Sequence, residues 1–163
     1  KSALITALSS GEPEVASYPF TTKQLHLGHF EHRRRAYQMV DTPGLLDRPM
    51  SERNRIELQA IAALEHTGDV LLFLVDSSEG TTTPLEQQEH LLEEVKQLMS
   101  ERPMIVVHSK ADLIDELPKG ANTPISAETG QGLEELRSRL IEVIGADKVG
   151  DPLSLPEYWH RDE

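Results

Sequence analysis

The sequence predicts an α/β domain with a mainly parallel sheet, one antiparallel strand pair and helices on both faces. Two observations lead there. Short apolar runs, "VLLFLVD" at residues 70–76 and "MIVVH" at 104–108, alternate with longer segments of helical periodicity, the order expected of strand-helix-strand units. Three polar signatures then fall immediately after predicted strands: Asp41-Thr42-Pro43-Gly44, Ser109-Lys110-Ala111-Asp112 and Ser126-Ala127-Glu128. In open α/β sheets the carboxyl ends of the strands are where ligands bind.

Residues 2–9, "SALITALS", carry Leu4, Ile5 and Leu8 at helical spacing. Residues 24–30 and 35–40 read as two strands joined by the charged "EHRRR", a pair that can close as a hairpin. His26, His29 and His32 recur every third position, but on a strand successive side chains face opposite ways, so His29 turns from the other two and a three-histidine metal site is not expected. "SERNRIELQAIAALEH" places Ile56, Ala60, Ile61 and Leu64 on one helix face behind Ser51 as N-cap. "TPLEQQEHLLEEVKQLM" reads as a helix with Thr83 as N-cap, Pro84 at the first helical position and Glu86 completing a capping box. Its apolar stripe is Leu91, Leu92, Val95, Leu98 and Met99. A short strand "NTPIS" and the helix "QGLEELRSRLIEVI", stopped by Gly145, complete the alternation.

Composition narrows the function classes. A chain of 163 residues with 37% apolar residues can bury one core built mainly from Leu, Ile and Val. The formal charge of −12 argues against this segment wrapping nucleic acid by itself. Cysteine is absent, which excludes a disulfide framework or a thiolate metal site. No apolar run approaches the about 18 residues of a membrane helix, and no signal peptide opens the chain. A soluble, monomeric, cytoplasmic domain that does not engage a membrane is the expectation.

Taken singly, the polar signatures are weak. Asp-Thr-Pro-Gly and Ser-Lys-Ala-Asp each describe ordinary turns, and Lys1-Ser2, heading a predicted helix, matches only the last two positions of the phosphate loop G-x-x-x-x-G-K-[ST]. Their order is more specific. Lys-Ser at a helix start, Thr21-Thr22 about 20 residues on, Asp-x-x-Gly after a hairpin strand, Lys-x-Asp after a later strand and Ser-Ala after the last resemble the marker series of Ras-like P-loop GTPases.

That resemblance implies roles, and the chemistry explains the residue types. Free N–H groups and the dipole of a helix start favour phosphate, with Lys1 neutralising β/γ oxygens and Ser2 offering its hydroxyl to Mg²⁺. Thr22 is the implied second hydroxyl ligand, and Asp41 stands near the metal. Gly44, lacking a Cβ, can approach the γ-phosphate and donate its N–H, so the catalytic work falls to Lys1, Thr22 and Gly44. Asp112 accepts two N–H groups of guanine, the stem of Lys110 lies along the base, and the N–H of Ala127 donates to the guanine oxygen. The same loops would bring Ala3, Phe20, Thr21, Thr42, Pro43, Leu45, Ser109, Ser126 and Glu128 to the nucleotide.

A closer resemblance rests on the run "PEVASYPFTTKQLHLGHFEHRRRAYQMVDTPGLLDRPMSERNRIELQAIAALEHTGDVLLFLVDSSEG". With its D-R-P, its E-R-N and its I-E-L-Q-A-I-x-A-L helix, it is similar to the nucleolar GTP-binding protein 1 family, in the Obg-like branch of translation-associated GTPases. The tail "DPLSLPEYWHRDE" resembles that of archaeal members. The family implies GTP or GDP and Mg²⁺ as ligands and a role in assembly of the large ribosomal subunit. The pre-ribosomal particle, rRNA and ribosomal proteins together, would be met through regions outside this segment.

Two departures from the family pattern, and one difference from Ras-like proteins at large, shape the expectation. The chain opens inside the phosphate loop, so residues 1–145 are expected to form a GTPase domain lacking its first strand and most of that loop, with 146–163 as a polar tail. Ser109 stands where the family usually has Asn, removing an amide contact to the base. Leu45 occupies the position of the glutamine that orients water in Ras-like proteins. Slow intrinsic hydrolysis follows, helped by a partner or by potassium near the phosphates. The alternative is a non-hydrolysing scaffold that keeps the fold for protein binding.

Overall fold

The computed structural model describes residues 2–17, 24–42, 49–117 and 123–145. They divide into two compact units, one up to Thr67 and the other from Gly68.

The first unit contains α1 (Ser2–Leu8), strands β1 (Glu14–Ser17), β2 (Gln24–His32) and β3 (Arg35–Asp41), a 3-10 turn at Met50–Glu52 and α2 (Arg55–Thr67). The strands form one antiparallel sheet in the order β1-β2-β3. The hairpin expected from the sequence is β2–β3, and β1 is a further strand that periodicity over four residues does not reveal. Arg33 (φ 48°) and Arg34 (φ 66°) join the pair, the φ signs of a type I′ turn, whose twist matches that of the strands. The expected stripe Leu4, Ile5 and Leu8 is buried, as are Leu25, Leu27 and Phe30 of β2. Phe30 and its register partner Tyr37 stack with centroids 5.0 Å apart. Helix α1 passes so close to β2 at Gly28 that a Cβ there would stand 2.7 Å from Cγ2 of Ile5. Glycine is therefore required by space at that crossing.

The cap of α2 differs from the sequence expectation. Asn54, not Ser51, caps it: Asn54 Oδ1 accepts the Glu57 N–H at 2.9 Å and Glu57 Oε2 accepts the Asn54 N–H at 3.0 Å. This reciprocal pair is a capping box, and Ser51 lies in the preceding 3-10 turn. On the expected apolar face Ile61 is buried and Leu64 half-buried, while the side chains of Ile56 and Ala60 lie outside the described set.

The second unit contains β4 (Leu71–Asp76), α3 (Leu85–Leu98), β5 (Met104–Ser109), a 3-10 turn at Ala111–Leu113 and α4 (Leu133–Ile144). Strands β4 and β5 pair in parallel, from Leu71 with Met104 to Asp76 with Ser109, so both end at one level. The expected "NTPIS" strand is reduced, among the described residues, to one parallel bridge between Pro124 and His108. The start of α3 also departs from expectation: Pro84 is its N-cap, no side chain caps it, and the Thr83 carbonyl instead accepts from Gln88 Nε2 at 2.8 Å. In the stripe of α3, Val95 and Met99 are buried but Leu98 is 37% exposed, and Gln88 takes an inward place. Helix α4 runs as expected to Gly145, whose φ of 85° suits a residue without a Cβ.

Candidate functional site

The site candidates of the second unit converge at the exits of β4 and β5. Because the strands end in register, Asp76 and Ser109 are neighbours. Ser109 Oγ donates to the Val75 carbonyl at 3.1 Å, a bond back into the adjacent strand. Lys110 then adopts a left-handed conformation (φ 57°, ψ 40°), which swings the chain out of the strand into the Ala111–Leu113 turn. Asp112 rides on that turn with its side chain exposed.

A second loop is held against the first. The Ala111 N–H donates to the Ile125 carbonyl at 3.0 Å, and the Ile125 N–H to the His108 carbonyl at 2.8 Å. Ser126 is fully buried; its N–H donates to Gln131 O at 3.0 Å, and its Oγ accepts the Thr129 N–H at 3.1 Å. The buried serine thus shapes the turn that carries Ala127 and Glu128. An exposed carboxylate at Asp112, on the loop that the Ala111–Ile125 bond ties to this turn, can accept N–H donors from a ligand edge.

One cluster here has no counterpart in the sequence reading. Lys110 Nζ lies 2.6 Å from Asp76 Oδ2. The other carboxylate oxygen, Oδ1, accepts the Ser78 N–H at 3.0 Å and the Ser78 hydroxyl at 2.6 Å. Gln88 grips the backbone of Asp76 from both sides, accepting its N–H at 2.8 Å and donating to its carbonyl at 2.7 Å. Burial acts to raise the Asp76 pKa, but the Lys110 ammonium and the Ser78 donors outweigh it and hold the carboxyl below its ordinary range. A signal was present in the sequence: "VLLFLVD" leaves its apolar run on an aspartate just as "AYQMVD" does.

In the first unit, Asp41 ends β3 and is 7% exposed. His26, its register partner on β2, brings Nδ1 to 3.7 Å from Asp41 Oδ2. Thr42 follows half-buried, and Ser2 and Ala3 open α1. A buried carboxylate is a hard oxygen donor of the kind that suits Mg²⁺. Lys1, Phe20, Thr21, Thr22, Pro43, Gly44 and Leu45 lie outside the described residues.

Comparison with known proteins bears directly on this arrangement. The family model described as Nucleolar GTP-binding protein 1 matches residues 55–112, from the start of α2 through the aspartate of the Lys-x-Asp loop. An uncharacterised protein of Methanocaldococcus jannaschii is 47% identical over 71% of this chain and 32% of its own length. Nucleolar GTP-binding protein 1 of Caenorhabditis elegans is 36% identical over 91% of this chain and 24% of its own. The crystal structure of a nucleolar GTP-binding protein 1 from Plasmodium falciparum superposes with a TM-score of 0.74 at 27% identity, covering 88% of this chain and 79% of that one.

The chain belongs to the nucleolar GTP-binding protein 1 family. It spans about a quarter to a third of the length of these two curated relatives. The α/β architecture read from the sequence agrees with the superposition on that solved relative, and in this chain pairing is parallel in the second unit and antiparallel in the first. Within the family segment 55–112 lie Asp76, Ser78, Gln88, Ser109, Lys110 and Asp112, whereas the Ser126–Glu128 turn lies beyond it. No helix among the described residues is long and apolar enough to cross a membrane.

Proposed function

We propose that this chain is the guanine-nucleotide-binding part of a GTP-hydrolysing switch acting in assembly of the large ribosomal subunit. The observation that carries the reading is the hydrogen bond from the Ala111 N–H to the Ile125 carbonyl, which sets the Ser109-to-Asp112 loop beside the Ser126-Ala127 turn. Asp112 is the acceptor for the guanine N–H groups, and the Ala127 N–H is the donor for its oxygen; adenine offers neither in that pattern. The names of the curated relatives, as GTP-binding proteins, support the same ligand.

Ser2 at the head of α1 and Asp41, with Lys1, Thr22 and Gly44, are the proposed phosphate and metal residues. Ser2, Thr22 and Asp41 would hold Mg²⁺, which supplies charge neutralisation at the transferred phosphoryl group. Loss of the γ-phosphate would release the segments holding Thr22 and Gly44, the physical basis of a switch. Because Leu45 cannot orient water by hydrogen bonding, turnover by the protein alone is slow, and potassium or a pre-ribosomal particle supplies the missing assistance. We place this activity in the cytoplasm.

The test is GTP and ATP binding by calorimetry with the full-length protein, followed by GTP turnover in sodium and in potassium, with and without pre-ribosomal particles. GTP-selective binding and a slow basal rate raised by potassium or particles are expected, with Leu45→Ala leaving the basal rate largely unchanged. Equal affinity for ATP would overturn the base assignment. GTP binding without turnover in every condition would instead indicate a nucleotide-dependent scaffold.

A further inference from the structure

We infer that Asp76 is a positioning residue for base recognition, holding Lys110 so that its aliphatic stem is laid out for the guanine ring. The inference rests on the guanine-nucleotide reading proposed above.

An exposed lysine-carboxylate pair by itself contributes little, and Lys110 is 50% exposed. What separates this pair from an incidental one is how firmly the carboxylate is built in. Oδ1 is occupied by both donors of Ser78, and the peptide groups on either side of the Asp76 Cα are bonded to Gln88, a glutamine only 8% exposed that also binds the Thr83 carbonyl. Oδ2 is thereby aimed, and Lys110 Nζ sits on it at 2.6 Å.

The lysine is correspondingly constrained at its other end. A left-handed backbone at a residue with a Cβ costs about 1 kcal/mol, and here it is offset by the Ala111 N–H bond to Ile125 O and by the Leu113 N–H bond to Lys110 O at 2.9 Å. That last bond closes the turn bearing Asp112, so the placement of Lys110 and of the base-reading carboxylate are coupled. A free lysine would lose about 2 kcal/mol of rotamer entropy on being ordered by a ligand; with both ends tied, most of that loss precedes binding. None of Asp76, Ser78 and Gln88 need touch the nucleotide for this to act.

The experiment is a double-mutant cycle on the full-length protein, reading GDP affinity by competition with a fluorescent GDP analogue for the parent, Asp76→Asn, Lys110→Ala and the double variant. Asp76→Asn should weaken GDP binding about three- to tenfold, and the double variant should be no weaker than Lys110→Ala alone, because Asp76 acts through Lys110. Asp76→Glu, which keeps the charge, should recover part of the loss. Should Asp76→Asn melt below the assay temperature, Ser78→Ala removes one anchor without altering charge, and its smaller loss should likewise vanish in the Lys110→Ala background. Additive losses, or an Asp76→Asn protein that binds GDP as the parent does, would overturn the inference. A parent protein that fails to bind GDP would overturn the guanine reading itself, so the two failures are told apart by the first measurement.

Discussion

His26 and Asp41 face each other across the β2–β3 pair, with Nδ1 of the histidine 3.7 Å from Oδ2 of the aspartate. The gap is beyond hydrogen-bond length, and the aspartate is 7% exposed. Asp41→Asn preserves the shape at this position and removes the charge proposed to face Mg²⁺. The variant should keep its fold while the strengthening of GTP binding by Mg²⁺ falls about tenfold or more, the scale on which ligands and their outer partners act at metal sites. Titrating Mg²⁺ at fixed GTP measures this, and an unchanged Mg²⁺ dependence would remove Asp41 from the metal site.

Asp112 is exposed on its turn, so substitution there disturbs recognition with little effect on packing. Asp112→Asn exchanges an acceptor for a donor and should cost about 1–3 kcal/mol of GTP affinity, the scale for an unmatched polar group. Xanthosine triphosphate, which offers an oxygen where guanine has an amine, should bind the variant better than GTP does. Competition between the two nucleotides reads the preference, and retention of parental GTP affinity would show that another group reads the base.

The capping box of α2 makes a prediction about stability alone. Asn54→Ala removes the acceptor for the Glu57 N–H and should destabilise by about 1 kcal/mol, whereas Ser51→Ala should stay within about 0.5 kcal/mol. Urea denaturation of the two variants against the parent decides between the two caps, with the reverse ranking restoring Ser51.

Burial holds the His108 imidazole below its ordinary pKa of 6.5, and its Nδ1 is buried without a hydrogen-bond partner. As pH falls below 6.5 the unfolded chain takes up a proton that the folded protein resists, so this residue's contribution is fully present above 6.5 and is lost as pH falls from there toward the folded pKa. His108→Gln should therefore flatten the decline in unfolding free energy between pH about 7 and 5. Parallel declines for variant and parent would show that His108 does not titrate differently on folding.

Much of the fold was legible because its signals are local. The stripe of Leu4, Ile5 and Leu8, the β2–β3 hairpin, the parallel-strand character of "VLLFLVD" and "MIVVH", and the stop at Gly145 each depend on side-chain spacing within a few residues, which the sequence displays directly. The order of Asp41, Lys110, Asp112 and Ser126 at element boundaries was equally open to reading. Cap identity was less so: Ser51, Asn54 and Thr83 all satisfy the preference for a short polar side chain, and only the path of the backbone selects which oxygen reaches a free N–H.

What the tertiary structure alone decided is the company each polar residue keeps. Nothing in the spacing of Asp76 and Lys110 says that they touch; they meet because β4 and β5 pair in parallel and in a register that ends both strands together, Asp76 beside Ser109. Gln88 sits in an otherwise apolar helical stripe, where sequence alone favours a leucine, and it faces inward because two peptide groups of Asp76 need partners there. Residue spacing determines which side chains share a face of one element, but strand register and the demand of buried peptide groups for hydrogen bonds determine which faces meet.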